Sequence, residues 1–403
     1  MTPARSLLSL DDLDLASLRG VRLLVRVDFN VPLEQGRVAD TARLEAALPT
    51  INELSEAGAS LLLASHCGRP KGQRVPELSL RPIARALADL LERRVAFAAD
   101  CIGEPARAAA ADLAAGEICL LENLRYHQAE TDNDSDFATS LAALAEGYVS
   151  DAFGAVHRAH ASVVGVPALL QRKAAGRLLE REIEALGSLL EQPARPFAAV
   201  LGGAKISGKM ETVENLLSRI DTLMVGGAMA NTFLAAQGLD LADSLVEAER
   251  VEMAGDVLDR AEAAGVLVIL PTDLIVTDDL VEPTRIESVP VDEVPAGTMA
   301  VDIGDQTRRE MARLLDESGT IFWNGPMGVF ERPPFDAGTV VIAKAVADCQ
   351  GFTAIGGGET VAAVRRAGAV ERIDHVSTGG GASLELLAGK ILPGVAVLEK
   401  GAR

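Results

Sequence analysis

Short apolar runs alternate along the chain with longer stretches in which Ala, Leu and Glu recur at helical spacing. The first run, Val21-Arg22-Leu23-Leu24-Val25, reads as a buried strand. Further strand-length runs fall at 60–65, 117–122, 147–151, 196–202, 220–226, 266–270, 299–303, 320–324, 352–356 and 374–378. Strands separated by helices predict βαβ units, and hence parallel sheets covered by helices. A charged helical stretch from Arg177 to Glu191 leads into Gln192-Pro193-Ala194-Arg195-Pro196, where a fresh strand starts. The expectation is an α/β fold of two Rossmann-like parallel-sheet domains joined by a helix, bilobal with a central cleft. In numbers, 1–176 form the first domain, 177–192 the connecting hinge helix and 193–392 the second domain.

Composition narrows the class. With 403 residues there is ample chain for two full-sized cores, and with 48% hydrophobic but only 3% aromatic residues those cores must be aliphatic. The formal net charge of −20 argues against nucleic acid or an anionic membrane as partner. Cys67, Cys101, Cys119 and Cys349 are scattered, without a C-x-x-C pair, so neither a disulfide framework nor a zinc knuckle is expected. No apolar run reaches membrane-spanning length, and a reducing cytoplasm is the simplest location.

Against this acidic background, arginines gather at the strand ends of the first half. Asp28 and Asn30 follow the first strand, with Arg43 in the next connection. Ser65-His66-Cys67-Gly68-Arg69-Pro70 follows the second, Glu122-Asn123-Leu124-Arg125 a later one, and His157-Arg158-Ala159-His160 lies beyond Asp151. In a parallel sheet these loops open on one edge, so Arg43, His66, Arg69, Arg125 and Arg158 are expected to form one anion-binding concavity. The planar guanidinium fork suits phosphate and carboxylate oxygens. His157 and His160 are spaced to share a helix face, which raises a metal option, but no third ligand is suggestively placed.

The second half carries glycine loops after strands: Gly202-Gly203-Ala204-Lys205-Ile206-Ser207-Gly208-Lys209, Gly226-Gly227, Asn324-Gly325-Pro326, Gly356-Gly357-Gly358-Glu359-Thr360 and Gly379-Gly380-Gly381. From Gly203 the first nearly matches a Walker A loop, but Met210 stands where the magnesium-binding hydroxyl belongs. Backbone amides together with Lys205 and Lys209, facing phosphates near a helix start, fit the run better.

The motifs R-V-D-F-N-V-P, S-H-x-G-R-P-K-G, L-L-E-N-L-R, D-A-F-G-x-x-H-R-A-H-A-S, L-G-G-A-K, W-N-G-P-M-G-V-F-E and S-T-G-G-G-A-S-L-E-L resemble, together and in order, the phosphoglycerate kinase family. The resemblance implies reversible phosphoryl transfer between 1,3-bisphosphoglycerate and ADP, with Mg2+ carried on the nucleotide, by a cytoplasmic monomer. It implies that Asp28, Phe29, Asn30, Arg43, His66, Cys67, Gly68, Arg69, Arg125 and Arg158 form the 3-phosphoglycerate site. It likewise implies Gly203, Lys205, Lys209, Asn324, Glu331, Gly357, Gly358, Glu359 and Thr360 for the nucleotide, with Glu359 as the metal ligand. Arg43, Lys209, Gly379 and Gly380 are implied around the transferring group, and residues 393–403 are implied to return to the first domain.

Three positions depart from the family pattern. Gly208 replaces an aspartate of G-G-A-K-V-x-D-K, Glu359 replaces the aspartate of G-G-G-D-T, and Asp305-Gln306 replaces the proline-containing D-I-G-P-x-T loop. All lie on the nucleotide side. They leave open a binding-only or catalytically impaired relative of the kinase, and the near Walker A match leaves a P-loop NTPase as a second alternative.

Overall fold

The computed structural model describes residues 7–401. The described chain divides into two compact units, one made of the residues up to Glu184 together with those from Ile391 onward, the other of Ala185–Lys390. The division falls inside the helix Arg177–Glu191, so that helix begins in one unit and ends in the other.

The first unit is built on strands β1 (Arg22–Val27), β4 (Ser60–Ala64), β5 (Val95–Phe97), β6 (Ile118–Leu120), β7 (Gly147–Asp151) and β8 (Lys173–Ala175), with a small hairpin of β2 (Leu33–Glu34) and β3 (Arg37–Val38). The six strands form one sheet in the order β5-β6-β4-β1-β7-β8, and every pairing is parallel. The central strands are apolar on both faces because helices cover both, which is why their residues read as unbroken apolar runs. Leu23, Val25, Leu61, Leu63 and Val149 pack with Leu44, Ile51, Leu54, Ile83 and Leu87 from the helices Ala42–Glu56 and Arg81–Leu91. The chain's last described residues also lie in this unit. Leu8 N donates to Leu398 O at 2.8 Å, Gly394 N to Val156 O at 2.8 Å, and Lys400 pairs with Asp12 at 2.8 Å.

The second unit carries β9 (Phe197–Leu201), β10 (Thr222–Val225), β11 (Leu267–Ile269), β15 (Thr320–Asn324), β16 (Phe352–Gly356) and β17 (His375–Val376), again parallel, in the order β11-β10-β9-β15-β16-β17. A second sheet interrupts the alternation: β12 (Asp273–Thr277), β13 (Ile286–Pro290) and β14 (Met299–Ile303) pair antiparallel in the order β13-β12-β14. The run at 299–303 therefore belongs to this antiparallel sheet and not to the parallel one that the alternation implies. Sequence pattern misses β12 and β13, and β13 is mostly exposed, so no burial signal marks it. It also misses the three-residue strands β5 and β8, too short for any periodicity to show.

The helix Arg177–Glu191 is held at its start by a residue far away in sequence. Asp151, at the end of β7, accepts from the amides of Leu178 at 2.9 Å and Leu179 at 3.2 Å through Oδ1. Two of the free amides at the helix start are thereby satisfied. Gly176 is needed there, since a Cβ at that position would collide with the Asp151 carboxyl. Arg177 adds ion pairs with Glu53 at 2.6 Å and Asp11 at 2.6 Å. Asp151 is fully buried, its Oδ2 unpaired among the described residues, and burial pushes its carboxyl up to about 7. The folded protein thus keeps a proton that the unfolded chain releases near 4, so this site's stabilisation is complete below that pH and is lost as pH rises to 7. Asp151→Asn keeps the Oδ1 acceptor and removes the titration. Denaturant unfolding between pH 4 and 7 is expected to fall less steeply for the variant, by up to about 1.4 kcal/mol per pH unit.

Candidate functional site

At the carboxyl edge of the first sheet, polar side chains from four connections meet. Asp28, just past β1, accepts from Arg43 Nη1 at 2.6 Å, and Arg43 stands in the first turn of the helix Ala42–Glu56. Asn30 Oδ1 accepts from Gly68 N at 2.9 Å, which ties the loop after β1 to the loop after β4. Phe29 is fully buried, and its amide donates to Ser65 Oγ at 2.9 Å. Gly68 O accepts from Arg125 Nη1 at 2.9 Å, while Asn123 Nδ2 donates to Cys67 O at 2.8 Å. Three loops are thus laced by backbone and amide contacts, and the charged side chains are carried on that lacing.

The electrostatics are those of an anion site. Arg125 is buried, and its Nε has no hydrogen-bond partner among the described residues. Burial, then repulsion from Arg26 and Arg158, pulls its guanidinium down to about 10. Burial, then Arg26, Arg125 and Arg43, pulls the His66 imidazole well below its ordinary value, so the ring is neutral at pH 7. Burial also pulls His160 down to about 4. Positive groups that depress one another in this way are relieved by a bound anion. Arg158 joins them, its Nε 3.0 Å from His157 Nε2. Arg69 is exposed on its loop and Cys67 is buried, its thiol pushed up by burial. His157 and His160 do not share a helix face, because both lie in the irregular segment before Ala161.

In the second unit the glycine loops interlock at the same edge of the other parallel sheet. Gly203 N donates to Pro326 O at 2.7 Å, Met229 N to Gly203 O at 3.0 Å, and Gly227 N to Met327 O at 2.9 Å. Asn324 Nδ2 donates to Gly356 O at 2.8 Å and Gly325 N to Thr360 Oγ1 at 2.6 Å, fastening the loop after β15 to the loop after β16. Lys209 runs back into this knot and donates to the carbonyls of Gly202 and Asn324. Burial pulls its ammonium down to about 8, opposed by the Glu359 carboxylate. Gly203, Lys209, Asn324, Gly357, Glu359 and Thr360 therefore belong to one cluster. Gly379 N donates to Ser377 Oγ at 3.2 Å, and Gly380 turns with positive φ into the helix Gly381–Leu387. Lys205 and Glu331 are exposed. Gly358 opens the helix Gly358–Arg366, with Glu359 exposed in its first turn.

One exposed carboxylate beside a lysine fits a magnesium ion that arrives with nucleotide phosphates, because such ions need only one or two protein carboxylates. A group of potential ligands whose donor atoms lie within 4.8 Å of one another, Asp100, Cys101 and His127, lies elsewhere, and there Asp100 already binds His127 at 2.7 Å and Arg74 at 2.8 Å. Sequence reading misses Glu247, which accepts from Ser207 Oγ at 3.1 Å and from the amides of Ile206 and Ser207, and so holds the loop of Lys205. It also misses Arg26, Glu130 and Ser162, buried behind the arginine cluster. No motif marks Glu247 or Glu130. Arg26 alone leaves a trace, as a charge inside an apolar strand.

Residues 10–390 match the family described as Phosphoglycerate kinase. The chain belongs to the phosphoglycerate kinase family. It is 52% identical over 391 residues to the phosphoglycerate kinase of Moorella thermoacetica, covering 97% of this chain and 98% of that one. It is 53% identical over 389 residues to that of Desulforudis audaxviator, covering 96% and 98%. Among solved structures, phosphoglycerate kinase from Coxiella burnetii superposes with a TM-score of 0.88 at 38% identity, over 98% of this chain and 100% of that chain. The enzyme from Pyrococcus horikoshii gives 0.85 at 32% identity, over 97% and 98%. Family membership removes the P-loop NTPase alternative.

The departures from the family pattern can be placed in this fold. Gly208 has ordinary φ, and a Cβ there would meet nothing within 4 Å, so sterics do not require glycine. Asp305 is not in a loop: it opens the helix Asp305–Asp316 behind Gly304 and pairs with Arg308 at 2.8 Å.

Gly325, by contrast, is sterically required. Its φ is +101°, and a Cβ would collide with Gly202 O and Lys209 Nζ. Gly325→Ala is expected to cost at least about 1–3 kcal/mol of stability from backbone strain alone. It should also displace Lys209. Denaturant unfolding and nucleotide titration would check both effects, and an unchanged midpoint would refute the steric account.

Proposed function

We propose that the chain catalyses reversible phosphoryl transfer between 1,3-bisphosphoglycerate and ADP, giving 3-phosphoglycerate and ATP. The observation that carries this reading is the gathering of Arg43, His66, Arg125 and Arg158 at one sheet edge of a protein with net charge −20. Three guanidiniums gathered around a neutral imidazole fit a ligand with a phosphate at one end and a carboxylate or acyl phosphate at the other. Asp28, Asn30 and the amides of the Cys67–Gly68 turn would orient it, with Arg69 closing from the surface. The Gly203 and Gly357–Thr360 loops would hold the nucleotide, with Lys205 and Glu331 at its periphery. Magnesium, held by Glu359 and the phosphates, would supply charge neutralisation there.

The chemistry asks little of the protein by way of proton transfer. In the ATP-forming direction an ADP oxygen attacks the acyl phosphorus, the P–O bond to the carboxyl breaks, and the carboxylate leaves with the bonding pair. The carboxylate leaves ionised near pH 7 and needs no general acid, and in the reverse direction the same ionised group attacks without a general base. Neutral His66 accordingly serves in binding. Rate enhancement then comes from alignment and from charge placed around the transferring group. Arg43 would stabilise it from the phosphoglycerate side, and Lys209 with the Gly379 and Gly380 amides from the nucleotide side. Because the two substrates occupy different units, this reading includes closure of one unit on the other. It also takes the protein to be a cytoplasmic monomer, with no nucleic acid or membrane partner.

The deciding experiment is turnover of 3-phosphoglycerate with Mg-ATP, coupled to NADH oxidation through glyceraldehyde-3-phosphate dehydrogenase. Sustained turnover is expected. Phosphoglycerate binding without turnover would identify a binding-only relative. In the same assay Arg43→Ala is expected to lower kcat by at least about a hundredfold, the scale of one lost transition-state contact, while ADP binding persists. Lys209 generates a pH effect: as it loses its proton through about 8, ADP affinity should weaken, by about tenfold from pH 7 to 9. Lys209→Met should bind weakly with a flat profile over that range.

A further inference from the structure

Behind the phosphoglycerate site lies a buried chain of polar groups that the reaction as described does not use. Arg26 sits near the end of β1 with 1% of its surface exposed, which for a guanidinium demands bonded partners on every side. Its Nε donates to Ser162 Oγ at 2.9 Å, its Nη1 to Val27 O, and its Nη2 lies 3.1 Å from His66 Nδ1. Ser162 is clamped in turn. Its hydroxyl donates to Glu130 Oε1 at 2.6 Å, its amide donates to Glu130 Oε2 at 2.9 Å, and its carbonyl accepts from Tyr148 at 2.9 Å. Glu130 is completely buried and ends the chain as the acceptor of both Ser162 bonds.

The last link determines the chemistry of His66. A guanidinium has no lone pair to offer, so Nδ1 must be the acceptor, and the proton of the neutral ring resides on Nε2. Arg26 and Asp28 both meet the ring at Nδ1, which leaves Nε2 as the nitrogen that carries the proton. The competing arrangement is also present. Asp28 Oδ1 lies 3.9 Å from Nδ1, and without Arg26 it would draw the ring proton to that nitrogen. Nε2 would then present a lone pair to an anionic substrate. His66 is surrounded by Arg26, Arg43, Arg125 and His160, with Asp28 as the nearby carboxylate, so uptake of a second proton is opposed.

We propose that Glu130, Ser162 and Arg26 are positioning residues that hold His66 as its Nε2–H tautomer, so that the ring enters the phosphoglycerate site as a hydrogen-bond donor. The proposal rests on the reading of that site given above. It can be tested separately, because the tautomer is visible without any substrate. In protein labelled with 15N, long-range 1H–15N spectra at pH 7, with His66 assigned by loss of its signals in His66→Gln, should show the Nε2–H form. An Nδ1–H ring or an imidazolium in the wild type overturns the proposal, whatever the variants do.

Ser162→Ala breaks the chain and should populate the Nδ1–H form. It should also raise KM for 3-phosphoglycerate about tenfold, the loss of one hydrogen bond to a charged group, with KM for ATP within twofold. Ser162→Thr keeps the hydroxyl and should restore both readouts. Glu130→Gln keeps the shape but removes the charge, and should fall between them. A ring that stays Nε2–H in Ser162→Ala, or equal rises in both KM values, would also overturn it. Should the wild type fail to bind 3-phosphoglycerate, the proposed function fails, while the tautomer measurement still stands on its own.

Discussion

Parallel pairing of β1 with β4 on one side and β7 on the other is the constraint on which the first unit's chemistry depends. Parallel strands all end at the same edge, so residues at positions 28, 66 and 125 leave the sheet side by side although they are far apart in sequence. The register sets the heights: Arg26 stands opposite Ala64 and Ser150, so the next residues of each strand leave the sheet within a step of one another. A shift of one residue would turn Arg26 to the other face and leave a buried cation without partners. The hydrogen-bond ladder therefore specifies the site as much as the fold.

That site stores unfavourable charge. Arg26 and Arg125 are buried, Arg43 is half-buried, and the carboxylates that answer them, Asp28 and Glu130, are fewer than the guanidiniums. The deficit is tolerated because strand ends, laced by Asn30, Ser65 and Asn123, leave the side chains little room to relax outward. Under the proposed function a polyanionic substrate would supply what is missing, so that electrostatic strain in the free protein would become affinity in the occupied one.

The second unit uses geometry where the first uses charge. Its loops approach so closely that carbonyls of Gly202 and Pro326 face the amides and lysine of neighbouring segments, and only glycine fits at Gly325. Lys209 is kept inside this knot by carbonyl acceptors, with an acidity near physiological pH caused by burial. Gly208 and Glu359 fall on the rim of the same knot, where space is open, which explains why the architecture accommodates both.

Much of this was legible in the sequence for a simple reason: local chemistry imposes local patterns. Continuous apolar runs marked the central strands, glycine clusters marked the places where backbone meets backbone, and the D-x-N, H-x-G-R and E-N-L-R motifs marked strand ends whose side chains meet at one sheet edge. Where a pattern is weak the reading failed, as at the three-residue edge strands β5 and β8 and at the exposed β13. Tertiary structure alone decided that Asp151 starts a helix through Leu178 and Leu179, 27 and 28 residues further along the chain, that Glu247 holds the loop of Lys205, and that Glu130 reaches His66 through Ser162 and Arg26. Those partners share no spacing or motif, because a buried polar group accepts whatever complementary group the packed chain brings within reach, and only folding determines which one that is.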